Sequence, residues 1–489
     1  MTNASVPRKR ASREPMSRVD TAWLRMERPT NPMMITGVLM LAEPMSLSRL
    51  KRVVETRFLD YARFRQKAVD TPAGASWRDD EHFDLDWHVQ LAALPGRADK
   101  RYSEKIALER FVSQLASSPL DKTKPLWQFH LVEHYQGGSA LVARIHHSYA
   151  DGIALVQVLL SLTDTAREPG KGELAKTWLK QDGAKVAHRV GAVQRYAKLG
   201  GKVLEKGMEM YRDPTFASML AKEGGEIARE LVHALALPDD PPSMLRGKLG
   251  IAKRVAWAEP LDLDDVKAVG RACDCTVNDV LMAAAAGALR DYMLERGEAN
   301  LEGMTLRATV PVNLRPLEHA KKLGNHFGLV FLELPVGEAN PIRRVERVAE
   351  CMNQLKNSRQ AIVAYGLLAA LGMAPQPMQE LALELFSRKA TAVATNVPGP
   401  QQPLYLAGCT VRELMFWVPQ TGSIGIGISI MSYNGRVHFG LIADAKLVPD
   451  PDAVIRRFGP EFEKLLYLSL MGNWDSALDA VAAETLMAG

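Results

Sequence analysis

Apolar residues recur along this chain with two spacings, every second position in some segments and every third or fourth in others. The first spacing is typical of a β-strand with one buried face, and the second of an amphipathic helix. Strands are predicted at 31–41, 83–89, 127–134, 139–145, 251–257, 304–312, 329–334, 390–395, 424–432 and 437–444. Helices are predicted at 16–26, 46–59, 103–117, 261–272, 276–292, 339–356, 361–373 and 449–468. This mixture of strands and helices indicates an α/β protein.

The pattern changes between about 166 and 246, where lysines and arginines are interleaved with apolar residues. This stretch is predicted to be a helical linker, and the proline-rich run LALPDDPPSM marks its end. Its basic face suits either a solvated connector or a surface that docks on anionic lipid. A chain of 489 residues is too long to fold around a single hydrophobic core of ordinary size. We therefore expect domains at 15–165 and 247–489, after a disordered basic arm at 1–14.

The composition indicates the general class of protein but not its function. Hydrophobic residues make up 47% of the chain and charged residues 24%, which is typical of a globular protein. The formal net charge of +5 suits an anionic ligand or an acidic membrane surface, and no nucleic-acid partner is expected. We find neither a secretory signal nor a segment that could span a bilayer, so a cytoplasmic location is expected. The four cysteines lack the spacing of a zinc site, so no metal is expected.

The stretch HHSYADG, at 146–152, places two imidazoles where a predicted strand gives way to a predicted helix. Side chains alternate along a strand, so His146 and His147 should point to opposite faces. Each feature has a simple structural interpretation, because Asp151 can cap the following helix and both histidines can be satisfied core residues. Taken together, they also suit catalysis, since imidazole can accept and return a proton near neutral pH.

The HHSYADG stretch matches the HHxxxDG signature of the CoA-dependent acyltransferases, which include chloramphenicol acetyltransferase and the condensation domains of peptide synthetases. Four further motifs occur in the order expected for one branch: PLW at 125–127, VNDV at 277–280, VPVNLRP at 310–316 and NVPGP at 396–400. From about Met16 to Leu468, the chain therefore resembles the bacterial wax ester synthase/diacylglycerol acyltransferase family.

This resemblance implies roles for individual residues. His147 is expected to be the general base and His146 a supporting residue. Asp151 is expected to pair with an arginine that shapes the site, and Arg315 is our candidate for it. Asn278 is expected to donate a hydrogen bond to the reacting oxygen, although Asn278 or Asp279 could also simply cap their helix. Further residues are expected to bind substrate or shape the site: Gly152, Asp279, Asn396, Pro398 and Gly399.

The resemblance further implies two chloramphenicol-acetyltransferase-like domains, each a mostly mixed sheet flanked by helices, with the site in a channel between them. The expected activity is transfer of a long-chain acyl group from acyl-CoA, as co-substrate and without another cofactor, to a fatty alcohol or a diacylglycerol. The acceptor would be taken from a membrane or lipid-droplet surface, with which the protein associates peripherally. The alternatives are a condensation-type or small-alcohol acyltransferase and a non-catalytic lipid-surface protein.

Overall fold

The fold is described from a computed structural model, for residues 13–71, 74–94, 103–168, 237–314, 323–358, 360–371, 376–472 and 477–488. Its strands are β1 (Arg13–Pro15), β2 (Met34–Leu41), β3 (Gln66–Thr71), β4 (Gly74–Asp79), β5 (Val89–Ala92), β6 (Trp127–Tyr135), β7 (Gly138–His146), β8 (Thr163–Asp164), β9 (Lys253–Trp257), β10 (Leu261–Asp262), β11 (Leu306–Asn313), β12 (Phe327–Leu334), β13 (Ala392–Pro398), β14 (Tyr405–Leu406), β15 (Cys409–Trp417), β16 (Ile426–Tyr433) and β17 (Arg436–Asp444).

Its helices are α1 (Arg18–Met26), α2 (Leu47–Val53), α3 (Leu85–His88), α4 (Glu104–Ser117), α5 (Gly152–Leu160), α6 (Leu263–Ala272), α7 (Val277–Glu295), α8 (Pro341–Asn357), α9 (Gln360–Leu371), α10 (Gln376–Ser387), α11 (Pro451–Met471) and α12 (Ala480–Ala488). Most of the predicted linker, including its basic residues at 171–206, lies outside the described residues. In the part of the chain that the structure describes, no single helix could cross a membrane by length and composition, although α6 and α7 meet that test together across a 96° bend.

Two large sheets organise the described chain, as expected for two α/β domains. The first has seven strands in the order β5-β6-β7-β2-β15-β14-β8. The second has the order β10-β17-β16-β13-β11-β12, with β9 also paired to β17. Both are mixed: β5 and β6 run parallel in the first, and β11, β13 and β16 run parallel in the second. A small antiparallel sheet, β1-β4-β3, lies beside the first.

The hairpin that leads to the histidine motif follows from local sequence. Tyr135 pairs with Gly138 across a turn in which Gln136 and Gly137 both adopt positive φ. Strand β7 then pairs with β2 from Ser139 to His146, and every residue of β7 is buried. This strand is covered on both faces and holds its last residue, His146, inside the protein.

Strand β15 crosses from the second half of the chain into the first sheet. Its residue Met415 pairs with Val38 of β2, although the domain boundary at 247 assigned everything beyond it to a second domain. No strand was predicted here, because Arg412 and Glu413 interrupt the apolar pattern. The register shifts at these residues, and that irregularity lets both charged side chains stay partly exposed. The two domains therefore share a strand.

Smaller differences from the predictions have local causes. Residues 83–89 were predicted to be extended, but Asp84 accepts a hydrogen bond from the Asp86 N–H and begins the short helix α3. The helix predicted at 46–59 widens into a π-helical turn at Val54–Phe58. Arg13 and Glu14, assigned to the disordered arm, pair with β4. Helix α10 was not predicted from the sequence.

Candidate active site

The histidine motif forms the turn between β7 and α5. The His147 N–H donates to the carbonyl of Met33, at a distance of 2.7 Å. The carboxylate of Asp151 accepts a 2.8 Å hydrogen bond from the Ala154 N–H and so caps α5. The capping role considered from the sequence is therefore present. It fixes the conformation of the turn that carries His147.

The imidazole of His147 is packed between aromatic rings. It stacks on Trp23 of α1 with ring centroids 4.1 Å apart, and Phe327 of β12 lies 5.7 Å away. Burial lowers the pKa of His147 to about 4, and the charge of Asp151 opposes part of this shift. The ring is consequently neutral at physiological pH, and a neutral imidazole has one nitrogen that can accept a proton.

His146 has different surroundings, although it is the adjacent residue. Its Nδ1 lies 2.8 Å from the Ser148 hydroxyl, and its Nε2 lies 3.8 Å from a carboxylate oxygen of Glu27. Burial lowers its pKa to about 3. Of the two histidines, His147 borders an apolar cavity, and His146 does not.

That cavity lies between the two large sheets. It encloses about 1460 Å³ of empty space, part of it open to solvent. The first half of the chain contributes Trp23, His147 and Asp151 to its wall, and most of the remaining lining comes from α9, α10, β11, β12 and β13. Apolar side chains predominate, and among the described lining residues the groups that ionise are His147 and Asp151. The cavity therefore suits a largely apolar ligand that meets one imidazole.

Asn396 reaches the same cavity from β13 in the second sheet. Its side-chain amide donates a 2.9 Å hydrogen bond to the side-chain Oδ1 of Asn278, near the start of α7. Asn278 is thus coupled to the wall of the cavity, although it is not one of the residues that line it. The neighbouring Asp279 forms a capping box with Thr276 at the start of α7.

The remaining predicted site residues lie in several settings. Gly152 lines the cavity, and a methyl group added there would meet Val418 at an ordinary distance of 3.5 Å. Gly399 is buried and packs against the Ser432 carbonyl, where a Cβ would come within 2.4 Å, whereas Pro398 is exposed. Arg315 lies outside the described residues. In the described structure, Asp151 also accepts a 3.2 Å hydrogen bond from the His326 N–H.

Three residues that surround His147 were not predicted from the sequence: Trp23, Asn325 and Phe327. Trp23 could have been found from the sequence, because it lies one helical turn after Asp20 in an amphipathic helix. Asn325 and Phe327 could not, since their approach to His147 depends on how the second sheet packs against the first. The amide of Asn325 donates to the His147 carbonyl at 2.9 Å.

Comparisons with known proteins agree with this architecture. A model of the wax ester synthase/diacylglycerol acyltransferase catalytic domain matches residues 16–281, and one of the WS/DGAT C-terminal domain matches residues 323–466. A putative diacylglycerol O-acyltransferase of Mycobacterium tuberculosis is 28% identical to this chain, over 94% of the chain and 91% of the relative. A probable diacylglycerol O-acyltransferase of the same organism is also 28% identical, over 85% of each.

Two solved structures share the fold. The wax ester synthase/diacylglycerol acyltransferase from Marinobacter aquaeolei VT8 superposes with a TM-score of 0.64 at 23% identity, over 94% of this chain and all of that one (100%). The starter condensation domain of rhizomide synthetase superposes with a TM-score of 0.57 at 12% identity, over 96% of both chains.

Two sheet domains with an HHxxxDG turn at their boundary are the chloramphenicol-acetyltransferase-like fold expected from the sequence. This chain belongs to the wax ester synthase/diacylglycerol acyltransferase family, and it is an acyltransferase.

Proposed function

We propose that this acyltransferase moves a long-chain acyl group from acyl-CoA to the hydroxyl group of a fatty alcohol or a diacylglycerol, with His147 as general base. The observation that carries the proposal is the position of His147, whose neutral imidazole borders an apolar cavity between two sheets. The names of the similar proteins support both classes of acceptor. Acyl-CoA is the co-substrate, and the scheme uses no other cofactor.

The proposed reaction needs one proton to move twice. The acceptor oxygen attacks the thioester carbonyl carbon while His147 takes the hydroxyl proton, so that a C–O bond forms and the carbonyl oxygen becomes an oxyanion. When the oxyanion collapses, the C–S bond breaks and the CoA thiolate takes the proton from the imidazolium. The products are the ester and free CoA, and His147 returns to its neutral form.

The oxyanion needs a hydrogen-bond donor, and we assign this role to the amide pair of Asn278 and Asn396. The 2.9 Å bond between these side chains orients both amides, and Asn396 borders the cavity that holds His147. A neutral amide can stabilise a developing negative charge without itself being a costly buried charge.

The lining of the cavity favours a lipid over a small polar alcohol. Each methylene group buried there contributes about 0.8 kcal/mol, so long chains bind more tightly than short ones. Thr309, Gln360 and Thr395 add neutral polar groups to the wall, which could hold an ester or hydroxyl group without a charged partner.

Radiolabelled palmitoyl-CoA, offered with hexadecanol or a diacylglycerol, tests this proposal directly. We expect a labelled wax ester, a labelled triacylglycerol or both after product separation, and a loss of product in His147→Ala. His130→Ala is the matched control, because His130 is also buried and its pKa is also lowered to about 4, but it does not border the cavity. Absence of product with both acceptors, or normal turnover in His147→Ala, would contradict the proposal.

We also propose peripheral association with a membrane or lipid-droplet surface in the cytoplasm, since a lipid acceptor is nearly insoluble in water. The clearest stretch of basic residues interleaved with apolar ones in the sequence is 171–206, which lies outside the described residues. Basic residues near an anionic surface contribute about 1 kcal/mol each, less at high salt.

Changing Lys198, Lys202 and Lys206 to Glu should therefore weaken flotation with anionic liposomes and lower activity on dispersed lipid. Acylation of a short soluble alcohol by the same variant should be normal. Flotation equal to that of the unchanged protein would place the docking surface elsewhere.

A further inference from the structure

Residues Gly324–His326, here called the clasp, hold the histidine turn from the second half of the chain. The Gly324 carbonyl accepts a 3.4 Å hydrogen bond from the Asp151 N–H, and the His326 N–H donates to the Asp151 carboxylate at 3.2 Å. Between them, the side-chain amide of Asn325 donates to the His147 carbonyl at 2.9 Å. The clasp therefore contacts the turn at three points, one of which is the backbone of His147 itself.

Asn325 is held in turn by a buried carboxyl group. One oxygen of Asp20, on α1, accepts from the Asn325 backbone N–H at 3.1 Å and from its side-chain amide at 2.8 Å. Both residues are almost fully buried, with exposed fractions of 3% for Asp20 and 2% for Asn325. Because the Asn325 amide nitrogen meets two acceptors, the orientation of its side chain is determined.

Both polar groups of the His147 backbone consequently have fixed partners. Its N–H donates to Met33 in the first half of the chain, and its carbonyl accepts from Asn325 in the second. Helix α1 acts on both the backbone and the ring, because Asp20 holds Asn325 and Trp23, one turn later, stacks on the imidazole. The direction of the ring thus depends on contacts from three separate segments.

We infer that Asn325 is a positioning residue for His147, and that Asp20 keeps the Asn325 amide turned toward the His147 carbonyl. The inference rests on the proposed role of His147 as the base. Neither residue touches substrate in this scheme. Each acts by holding the imidazole in the direction in which it can reach the acceptor hydroxyl.

Asparagine has the chemistry that this position requires. A carboxylate at 325 could not donate to a carbonyl, and it would face the carboxyl group of Asp20. An apolar residue would leave the His147 carbonyl and Asp20 without this donor inside the protein, where an unsatisfied polar group is costly. The Asn325 side chain also raises the pKa of His147 against the larger effect of burial, which keeps the ring a better base.

Steady-state kinetics with palmitoyl-CoA and hexadecanol test the inference. Asn325→Ala should lower kcat about 10- to 100-fold with KM within about twofold, because a small misplacement of a catalytic group is expensive. Asn340→Ala is the matched control: Asn340 is buried and donates its amide to the Ala480 carbonyl, away from the cavity. The control should lose thermal stability without this change in kcat.

The double variant Asp20→Asn/Asn325→Asp, here called the exchanged pair, swaps the residue types at the two positions. It distinguishes a loss of positioning of His147 from a general loss of stability. An amide at position 20 can donate to a carboxylate at position 325, so the bond between the two positions is restored. The bond to the His147 carbonyl is not restored, because a carboxylate has no proton to donate. We expect the exchanged pair to melt at a higher temperature than Asn325→Asp alone while kcat stays low.

The outcomes distinguish the two proposals. Normal kcat in Asn325→Ala, a loss no larger than in Asn340→Ala, or full activity in the exchanged pair would each overturn the positioning role. If Asn325→Ala does not fold, the exchanged pair decides between the same alternatives. Normal activity in His147→Ala would instead overturn the proposed base, whereas an inactive His147→Ala with a normal Asn325→Ala overturns only the role of Asn325.

Discussion

The two walls of the cavity differ in chemistry. The wall from the first half of the chain carries His147 and Asp151, the lining groups that ionise in the described structure. The wall from the second half offers neutral polar groups, such as Asn396 and Gln360, among apolar side chains. Since isolated charges are costly to bury, this division keeps the ionisable groups on one side and neutral hydrogen-bonding groups on the other. The difference explains why neither half is expected to be active alone.

The largest effect should come from removing His147, the proposed base on the first wall. His147→Ala should lower kcat by about two to four orders of magnitude, which is the contribution of a general base, while acyl-CoA binding persists. His146→Ala should cost less, because His146 bonds to Ser148 and does not border the cavity. Single-turnover rates and acyl-CoA titrations on both variants measure this. Equal and complete losses in two well-folded variants would leave no basis for choosing His147.

A smaller loss should follow from changing the second wall. Asn396→Ala should lower kcat about 100-fold, the lower end of the range for an oxyanion donor. Because Asn396 and Asn278 share a 2.9 Å hydrogen bond, the double variant with Asn278→Ala should lose less than the sum of the two single effects in free energy. Additive losses in a double-mutant cycle would show that the two amides act independently.

The smallest effect concerns a histidine that belongs to neither wall. Burial lowers the pKa of His438 to about 4, as it does for His147, but His438 lies away from the cavity. In the unfolded protein His438 binds a proton near pH 6.5, whereas in the folded protein it does so only near pH 4. Protonation therefore favours the unfolded protein, and stability is lost as the pH falls through this interval. His438→Gln should therefore reduce the loss of unfolding free energy between pH 7.5 and 5.5 by about 1 kcal/mol.

Urea denaturation at the two pH values measures this difference, with His134→Gln as the exposed control. An unchanged pH dependence in His438→Gln would show that this histidine does not contribute. The comparison also shows why a lowered pKa does not identify a catalytic histidine: His438 and His147 share the shift, and only His147 borders the cavity.

Local patterns predicted much of the fold. The hairpin of β6 and β7 was expected within one residue at each end, because its strands alternate around a glycine-containing turn. Ser103 caps α4 as a serine before an amphipathic run should. Strand β15 was missed because its charged residues Arg412 and Glu413 break the apolar pattern, and α10 was missed as well. Pairing between β15 and β2 joins distant positions, such as Trp417 and Thr36, which periodicity cannot detect.

By itself, the sequence determined the class of protein and the local form of its site. The HHSYADG stretch, the cap at Asp151 and the capping box of Thr276 and Asp279 depend on neighbours within a few positions. Only the tertiary structure decided that His147 borders the cavity, that Trp23 stacks on it, and that Asn325, 178 positions away, holds its carbonyl. The physical reason is that a hydrogen bond or a ring contact acts over a few ångströms, whereas the chain segments that supply its partners are brought together by the packing of two sheets.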